Sequence, residues 1–336
     1  MIVTLTGAFK NSGDYLIGHR ARQLLASHLE HEIVDINRKA VTDQTYKTLN
    51  AANFVLLTGG PAYQAEIYPG VYDIDLSRID VPVIAYGLGW KGKLNQQPSD
   101  FHFKPEAENF VRKIHDFGLT SSARDHLTVE VLNNMGIQNV SMTGCPAWYD
   151  EAKLSQDYQF QPVKTLVFSM PAVIQDSVLP IIKHLAKRFP KTKKYLVFNA
   201  GFTSTRSKDA EAITKWNSKV RFAAKLRGFE SISFESDFAR FLEIQSLADL
   251  HVGFRVHSHI FSLSQRITSI LIAEDSRGIG QMQAMGNSPL SAHQDISELI
   301  AAIDQEIDTR GSGSEKAIQT MRETHSKMVE FISQFA

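Results

Sequence analysis

The chain has 336 residues, more than one hydrophobic core usually organises, so two domains are expected. Hydrophobic residues make up 43% of the sequence and charged residues 21%, a globular composition that excludes a disordered or fibrous protein. The 36 basic and 36 acidic residues balance, so no overall charge attracts the chain to nucleic acid, and no nucleic-acid partner is expected.

The first half of the chain alternates short apolar runs with amphipathic segments. Helical periodicity occurs at 15–29 and at 105–117, where the apolar residues form one stripe. A polar stretch at 149–164 has neither helical nor strand periodicity and predicts a linker. The apolar runs predict six strands, at 2–7, 31–36, 53–60, 81–89, 118–124 and 139–144.

The same alternation resumes after the linker. Helical patterns lie at 177–189 and 238–248, and the tail at 294–335 predicts two helices that are broken at 310–314. Strands that alternate with helices in this way are typical of parallel sheets. The strands predicted in the second half are 164–170, 193–201, 229–236, 248–254 and 267–275.

These patterns predict an α/β fold of two Rossmann-like domains, each with one parallel sheet. We expect an N-terminal domain at 1–152 and a C-terminal domain at 162–336, the latter ending in the two helices of the tail. Ligands of such sheets bind beyond the carboxyl ends of the strands. The candidate site is therefore a cleft that the two domains face.

The sequence also bears on location. The N-terminus begins as a strand without a signal-like segment, and no apolar run approaches the roughly 20 residues that span a bilayer. We expect a soluble cytoplasmic protein without a transmembrane segment. The basic run at 183–194 is interpreted as a solvated helix face, with transient contact to an anionic membrane surface as the alternative.

The first predicted strand runs into a glycine-containing loop at 7–18. Asn11, Ser12 and Asp14 stand where the next helix begins, so each is a candidate helix cap. In the alternative, Asn11 and Gly13 belong to a cleft loop in which the glycine lets the backbone approach a ligand. Asp14 would then act as a base toward a hydroxyl group. Both interpretations stay open at this point.

Two further glycine loops follow predicted strands, one with Gly59 and Gly60 and one with Gly87 and Gly89. The second fits G-x-G-x-x-G at 87–92, but the residues after it do not begin a helix that could receive a pyrophosphate. A nicotinamide or flavin site is therefore not expected, and the sequence has no P-loop pattern. We expect both loops to line the cleft, with further ligand contacts from Trp90 and from Lys91 or Lys93.

One arginine, Arg124, ends the strand predicted at 118–124 and precedes Asp125. One interpretation is that Asp125 caps the next helix and leaves the arginine exposed. The other is that Arg124 faces the cleft and binds a carboxylate or phosphate. Cys145, the single cysteine, excludes a disulfide framework and a cysteine-rich metal site, and is interpreted as a packed small side chain.

The stretch GFRVHSHI at 253–260 places three basic side chains after the strand predicted at 248–254. A helix that starts there offers free N–H groups and a positive dipole end to an anion. Arg255 adds a permanent charge, and His257 adds a proton or a hydrogen-bond donor. His259 lies on a different face of that helix, so we expect it to be structural. No metal is expected, because residues two apart on a helix do not converge on one ion.

The next predicted strand ends in another charged cluster, with Glu274, Asp275 and Arg277. One interpretation pairs Arg277 with one of these carboxylates, as is common on protein surfaces. The other groups Arg277 with Arg255 and His257 around a single anion. Since several cationic strand ends would meet at one edge, we favour an anion-binding pocket.

Four segments carry a family resemblance: NSGDYLI at 11–17, ARDHLT at 123–128 with TGCPA at 143–147, ADLHVGFRVHSHIFSLSQ at 248–265 and IAEDSR at 272–277. Together they resemble the polysaccharide pyruvyl transferase family and span most of the chain. The resemblance implies a GT-B-like architecture and transfer of pyruvate from phosphoenolpyruvate onto a sugar, usually as a ketal. Many members carry a lysine at the position of Arg277, whereas others read D-S-R as here, so the subfamily stays open.

The resemblance also implies roles for these residues. Arg255 and His257 match the family's cleft arginine and histidine, and Asp14 matches the aspartate of its N-x-G-D element. His257 would be a general acid or a phosphate partner, and Asp14 the base on a glycan or glycolipid acceptor; neither role needs a metal or a cofactor. The acceptor would lie on the N-terminal domain and the donor on the C-terminal one. Phosphoenolpyruvate carries two anionic groups, for which the expected contacts are Arg124, Arg255, Arg277 and Ser258.

Two alternatives keep the fold and change the function. A GT-B glycosyltransferase would bind a nucleotide sugar at the same strand ends, and Glu274 is then a candidate ribose ligand. A non-catalytic sugar-binding or anion-binding protein would need neither Asp14 nor His257.

Overall fold

A computed structural model describes residues 1–204 and 209–336, and strands alternate with helices through both ranges. Each strand predicted from the sequence is present, and β12, of two residues, is an addition. The strands are β1 (Ile2–Thr6), β2 (Ile33–Asn37), β3 (Phe54–Thr58), β4 (Val83–Tyr86), β5 (Ser121–Ala123), β6 (Val140–Met142), β7 (Thr165–Ser169), β8 (Lys193–Phe198), β9 (Phe229–Ser233), β10 (Leu250–Gly253), β11 (Thr268–Ala273) and β12 (Leu290–Ser291).

The helices confirm the predicted amphipathic segments, including the two helices of the tail. The predicted linker contains one short helix, α5. The helices are α1 (Ser12–His28), α2 (Asp43–Asn50), α3 (Pro105–Ile114), α4 (His126–Asn133), α5 (Glu151–Leu154), α6 (Val178–Arg188), α7 (Ala210–Lys225), α8 (Phe238–Ser246), α9 (Val256–Ser264), α10 (Ser276–Ala284), α11 (Ile296–Asp308) and α12 (Ser312–Ser333).

The strands of the first half form a four-stranded parallel sheet in the order β2-β1-β3-β4 and a separate parallel pair, β5-β6. The expectation of one continuous sheet is wrong at this point. Gly87 follows β4 with a φ of 64°, which turns the chain away from the extended conformation. Its N–H is donated to the Ser122 hydroxyl at 2.9 Å, and a single bridge between Leu88 and Ala123 links β5 to the β4 end.

The second half forms a six-stranded parallel sheet in the order β12-β11-β10-β7-β8-β9. The central strands β7 and β10 are buried almost throughout, because helices cover both faces of the sheet. The α/β class and the two Rossmann-like halves are thus confirmed, whereas the boundaries at 152 and 162 stay a prediction.

The last helix, α12, spans both halves. Near its start, Ser314 accepts a hydrogen bond from the backbone N–H of Ser269 on β11 at 3.0 Å. Near its end, the ring of Phe331 stacks on Tyr86 of β4 at a centroid distance of 5.3 Å. The C-terminal segment therefore belongs to the core of the first half as well as the second. No helix in the described ranges is long and apolar enough to cross a bilayer.

Candidate functional site

Strand ends from both halves converge on one pocket. The loops after β1, β3, β5, β8, β10 and β11 each contribute to its wall, as the strand-end rule for parallel sheets predicts. The side chains predicted to be catalytic, and the three arginines predicted to bind the donor, all lie in this wall. The lining residues are Asn11, Asp14, Pro61, Arg124, Asn199, Phe254, Arg255, Val256, His257, Glu274 and Arg277.

The turn between β10 and α9 places Arg255 at the pocket. Gly253 ends the strand with a φ of 152°, and a Cβ on it would collide with the Ser169 backbone, so only glycine fits. Arg255 is the N-cap residue of α9, and its side chain caps no N–H of the helix. One Nη of Arg255 instead donates to Asn11 Oδ1 at 3.2 Å, which links the two halves across the pocket.

His257 is the second residue of α9, where the charges of three arginines act on it. Burial, and then the positive charges of Arg124, Arg277 and Arg255, lower the pKa of His257 to about 3. The imidazole is therefore neutral at physiological pH in the ligand-free protein. His257 Nε2 lies 3.9 Å from the thiol of Cys145, whose pKa burial raises to about 11. Cys145 is thus a packed, protonated side chain, as interpreted from the sequence.

Two of the pocket arginines are held by aspartates. Arg124 is 1% exposed and pairs through Nε with Asp125 at 3.1 Å, while Asp125 also caps α4 by accepting from the Thr128 N–H. The interpretation of Asp125 as a cap is confirmed, but the arginine is buried rather than exposed. Arg277 pairs with Asp275 at 2.6 Å and lines the pocket at the same time, so the ion pair is present, whereas the binding of a shared anion stays a prediction.

Asp14 faces the pocket from the first turn of α1. Burial raises the pKa of Asp14 above its ordinary value, an effect that Arg38, Asn11 and Arg255 oppose. Asn11 occupies the N-cap position of α1, but its side chain accepts no hydrogen bond from the helix. The alternative interpretation of Asn11 as a cap is therefore wrong. A raised carboxyl pKa beside cations is typical of a group that accepts a proton during a reaction.

Several residues predicted at the cleft lie behind its wall. Ser258 is fully buried, and its hydroxyl accepts from Asn199 Nδ2 at 3.0 Å and from Gln245 Nε2 at 2.9 Å, so it positions Asn199 rather than facing the pocket. The indole of Trp90 is 1% exposed and packs against Phe101, so it is unavailable to a ligand. Of the expected loop contacts, Lys91 lines the adjoining cleft.

The glycines of the predicted cleft loops are required by close packing or by backbone conformation. A Cβ on Gly13 would lie 2.8 Å from Cβ of His257, so this glycine admits the histidine and not a ligand. A Cβ on Gly89 would collide with Arg124, and one on Gly59 with Ile17. Gly60 and Gly87 have φ values of 82° and 64°, which other residues rarely adopt.

His259 lies on another face of α9, as expected. Its Nδ1 contacts the Ser269 hydroxyl at 2.7 Å, and burial lowers its pKa to about 3. Two residues of the basic run at 183–194 are not free surface charges. Arg188 pairs with Asp304 at 3.3 Å, and Lys194 is buried.

Sequence reasoning missed three contributors to the site. Asn199 follows β8 and accepts the Ser12 N–H on its backbone carbonyl at 3.1 Å, which joins the start of α1 to the second half. Arg38 and Lys10 line the wider cleft that opens beside the pocket. Glu274, which the sequence analysis did name, accepts the Ala172 N–H at 2.9 Å and so fixes the loop after β7. A polar residue directly after a strand was the available signal, and Asn199 after β8 and Arg38 after β2 both fit it.

Comparison with known proteins completes the description. A sequence model of the polysaccharide pyruvyl transferase family matches residues 11–276. No curated protein matches the chain significantly.

Solved structures share the whole fold at low identity. MnaA of S. aureus with UDP has a TM-score of 0.59 at 11% identity, covering 99% of this chain and 96% of its own. UDP-GlcNAc 2-epimerase from Neisseria meningitidis bound to UDP-GlcNAc has a TM-score of 0.57 at 12% identity, and the match covers 99% of both chains. HepE of Anabaena with UDP and glucose has a TM-score of 0.51 at 12% identity, and the match covers 99% of this chain and 97% of HepE. These likenesses show a GT-B-type fold and nothing finer.

Proposed function

The chain belongs to the polysaccharide pyruvyl transferase family, and on that premise we propose that it moves the pyruvate moiety of phosphoenolpyruvate onto a sugar of a polysaccharide or its precursor. The observation that carries this proposal is the grouping of Arg124, Arg255, Arg277 and His257 around one pocket. A donor with a phosphate and a carboxylate needs several fixed cations, and guanidinium groups bind both anions through paired hydrogen bonds.

In this proposal, the pocket residues transfer the pyruvate moiety through proton transfer and two attacks by sugar hydroxyls. His257 donates a proton to the methylene carbon of phosphoenolpyruvate, which leaves an oxocarbenium-like centre at the neighbouring carbon. A sugar hydroxyl attacks that carbon and gives its proton to Asp14. A second hydroxyl then displaces phosphate as the carbon–oxygen bond breaks, and its proton leaves with the phosphate. The products are a ketal that bridges two hydroxyls and inorganic phosphate.

This role requires His257 to gain a proton when the donor binds. In the ligand-free pocket its pKa is about 3, because burial and three arginines oppose a further positive charge. A phosphate dianion placed between those arginines offsets much of their positive charge and so raises the pKa of the imidazole. Binding of phosphoenolpyruvate near pH 7 should therefore be accompanied by proton uptake, which calorimetry in buffers of different ionisation enthalpy measures.

The first test is a thermal-shift titration with phosphoenolpyruvate beside UDP-, GDP- and CMP-sugars. A ligand that binds the folded state raises the melting temperature by mass action. We expect a shift with phosphoenolpyruvate that is lost in Arg255→Ala and kept in Arg240→Ala, a matched surface arginine paired with Glu243. A shift with a nucleotide sugar alone would contradict the proposal and indicate a glycosyltransferase.

The second test separates catalysis from binding. Asp14→Asn removes the proposed base while keeping a side chain of similar size. We expect it to bind phosphoenolpyruvate and to lose transfer of pyruvate to an acceptor glycan, measured as phosphate release. Full biological activity of Asp14→Asn would instead support a non-catalytic binding protein. We place the reaction in the cytoplasm, where a phosphorylated three-carbon donor is produced.

A further inference from the structure

A cluster of three metal-ligating side chains lies away from the pocket, where α1, α5 and α12 meet. His28 ends α1, Glu151 begins α5 and His325 lies within α12. Both imidazoles direct Nε2 at the same carboxylate oxygen, Oε1 of Glu151, at 2.7 Å from His28 and 3.1 Å from His325. The three ligand atoms all lie within 4.8 Å of one another.

We propose that this cluster binds one divalent transition-metal ion of the zinc class. Zinc takes imidazole nitrogen at about 2.0–2.1 Å and carboxylate oxygen at about 2.0–2.2 Å, so ligand atoms around a tetrahedral ion stand roughly 3.3 Å apart. The nitrogen of His325 is already close to that separation from the Glu151 oxygen. The nitrogen of His28 lies about 0.6 Å closer to that oxygen than this separation, and it lies within 4.8 Å of the His325 nitrogen, so rotation of these partly exposed side chains can bring all three atoms around one ion.

The ligand set selects the ion. Two imidazoles and one carboxylate suit zinc, cobalt or nickel, whereas magnesium and calcium prefer oxygen ligands throughout. Three protein ligands leave a fourth position for water, which is ordinary for zinc. Asp150, the adjacent acid, is engaged with Arg20 at 2.6 Å and with Gln265 Nε2 at 2.6 Å, so it is not assigned as a ligand.

The site is both accessible and preorganised. The side chains of His28, Glu151 and His325 keep 27%, 29% and 21% of their surface exposed, so an ion reaches them from solvent. The ring of His325 packs edge-on against the buried ring of Tyr149 at a centroid distance of 5.1 Å, which fixes its orientation. A bound ion would connect the first helix, the segment between the halves and the last helix.

Zinc binding by the full chain, free of any histidine tag, tests the proposal. We expect one zinc ion per chain at micromolar free zinc, measured by equilibrium dialysis. His28→Gln and His325→Gln keep a hydrogen-bond donor toward Glu151 but lose the imidazole ligand. Each should weaken binding by at least about 100-fold, beyond the 10–100-fold that loss of an outer-shell partner costs. His293→Gln, at an exposed histidine outside the cluster, is the matched control and should bind as the wild type.

Two further measurements guard against loss of folding. Zinc should raise the melting temperature of the wild type and of His293→Gln, and leave that of His325→Gln unchanged. Cobalt in place of zinc should give the visible absorption of a tetrahedral site in the wild type. The two cluster variants should not show this absorption. Absence of zinc uptake at micromolar concentrations, or uptake that both cluster variants retain, would overturn the proposal.

Discussion

The four helices that begin at the pocket form two contrasting pairs. α4 and α10 start with Asp125 and Asp275, whose carboxylates accept N–H groups of the first helical turn and also pair with a neighbouring arginine. α1 and α9 start with Asn11 and Arg255, whose side chains cap no N–H group. In the first pair a carboxylate of the protein caps the helix, and in the second pair the N-cap side chain forms no cap.

This difference separates arginines that hold the fold from an arginine that is available to a ligand. Burial opposes the charges of Arg277 and Arg255, but Asp275 keeps the pKa of Arg277 above its ordinary value. The pKa of Arg255 is lowered, because Glu274 and the other carboxylates do not offset its burial. An incoming anion therefore gains most at Arg255 and at the positive end of α9.

The largest expected effect concerns His257, on an uncapped helix. His257→Gln should lower the turnover of pyruvyl transfer by about 10²–10⁴-fold, the usual contribution of a general acid. The thermal shift produced by phosphoenolpyruvate should persist, because the arginines remain. Turnover within a few-fold of the wild type would show that α9 contributes binding alone.

The next effect concerns stability at a capped helix. Arg124→Ala leaves Asp125 buried at 1% exposure without its guanidinium partner, and breaking such a pair costs about 3–5 kcal/mol. Urea unfolding should reveal this loss. In the same assay, Arg255→Ala should change the free energy of unfolding by less than about 1 kcal/mol, since the hydrogen bond that it loses is to the neutral Asn11 amide and not to a carboxylate. Equal losses of unfolding free energy in Arg124→Ala and Arg255→Ala would contradict the distinction between the capped and the uncapped helices.

A smaller effect concerns the shape of the charge at Arg255. Loss of one charge-assisted hydrogen bond costs about 1.5–3 kcal/mol, so Arg255→Ala should weaken phosphoenolpyruvate binding by roughly 10–150-fold. Arg255→Lys keeps the charge but loses the planar fork, and we expect an intermediate affinity. Calorimetric titration distinguishes them, with Arg240→Ala as the control. If Arg255→Lys bound phosphoenolpyruvate as tightly as the wild type, the positive charge alone, and not the planar fork, would account for binding at this position.

The last expected effect is the pH dependence of stability, which appears only below neutral pH. His257 has a pKa of about 3 in the folded protein against about 6.5 when unfolded, so between these values the unfolded chain binds the extra proton. Stability therefore falls as the pH drops from 6.5 toward 3. His257→Gln should reduce this slope by up to about 1.4 kcal/mol per pH unit. An unchanged slope in urea unfolding between pH 6 and 4 would mean that the imidazole is solvated.

Much of this organisation was predictable because a parallel sheet gives strong local signals. Apolar runs located the strands, and the rule that ligands bind at strand carboxyl ends selected Asp14, Arg124, Arg255, His257 and Arg277 before any coordinates. Each of these residues follows a strand by a few positions, so sequence position alone fixes its place at the sheet edge.

What sequence could not supply was side-chain direction and distant proximity. Ser258 is next to His257, yet one step along a helix turns its side chain toward Asn199 and Gln245 in the core. Glycines near the cleft resembled ligand loops, although Gly13 is required by the approach of His257. His28, Glu151 and His325 are far apart in the sequence, so no spacing pattern could have predicted their cluster.

The path of α12 has a mechanical consequence. The chain passes between the two halves once through the segment that contains α5 and again along α12. These two crossings lie side by side, since the Arg322 guanidinium donates to the carbonyls of Leu154 and Gln156 at 2.8 and 2.7 Å. An opening of the cleft would bend both crossings together, so we expect it to follow a single hinge line. His28, Glu151 and His325 lie on α1 and on these two crossings, so an ion bound there would resist that bending.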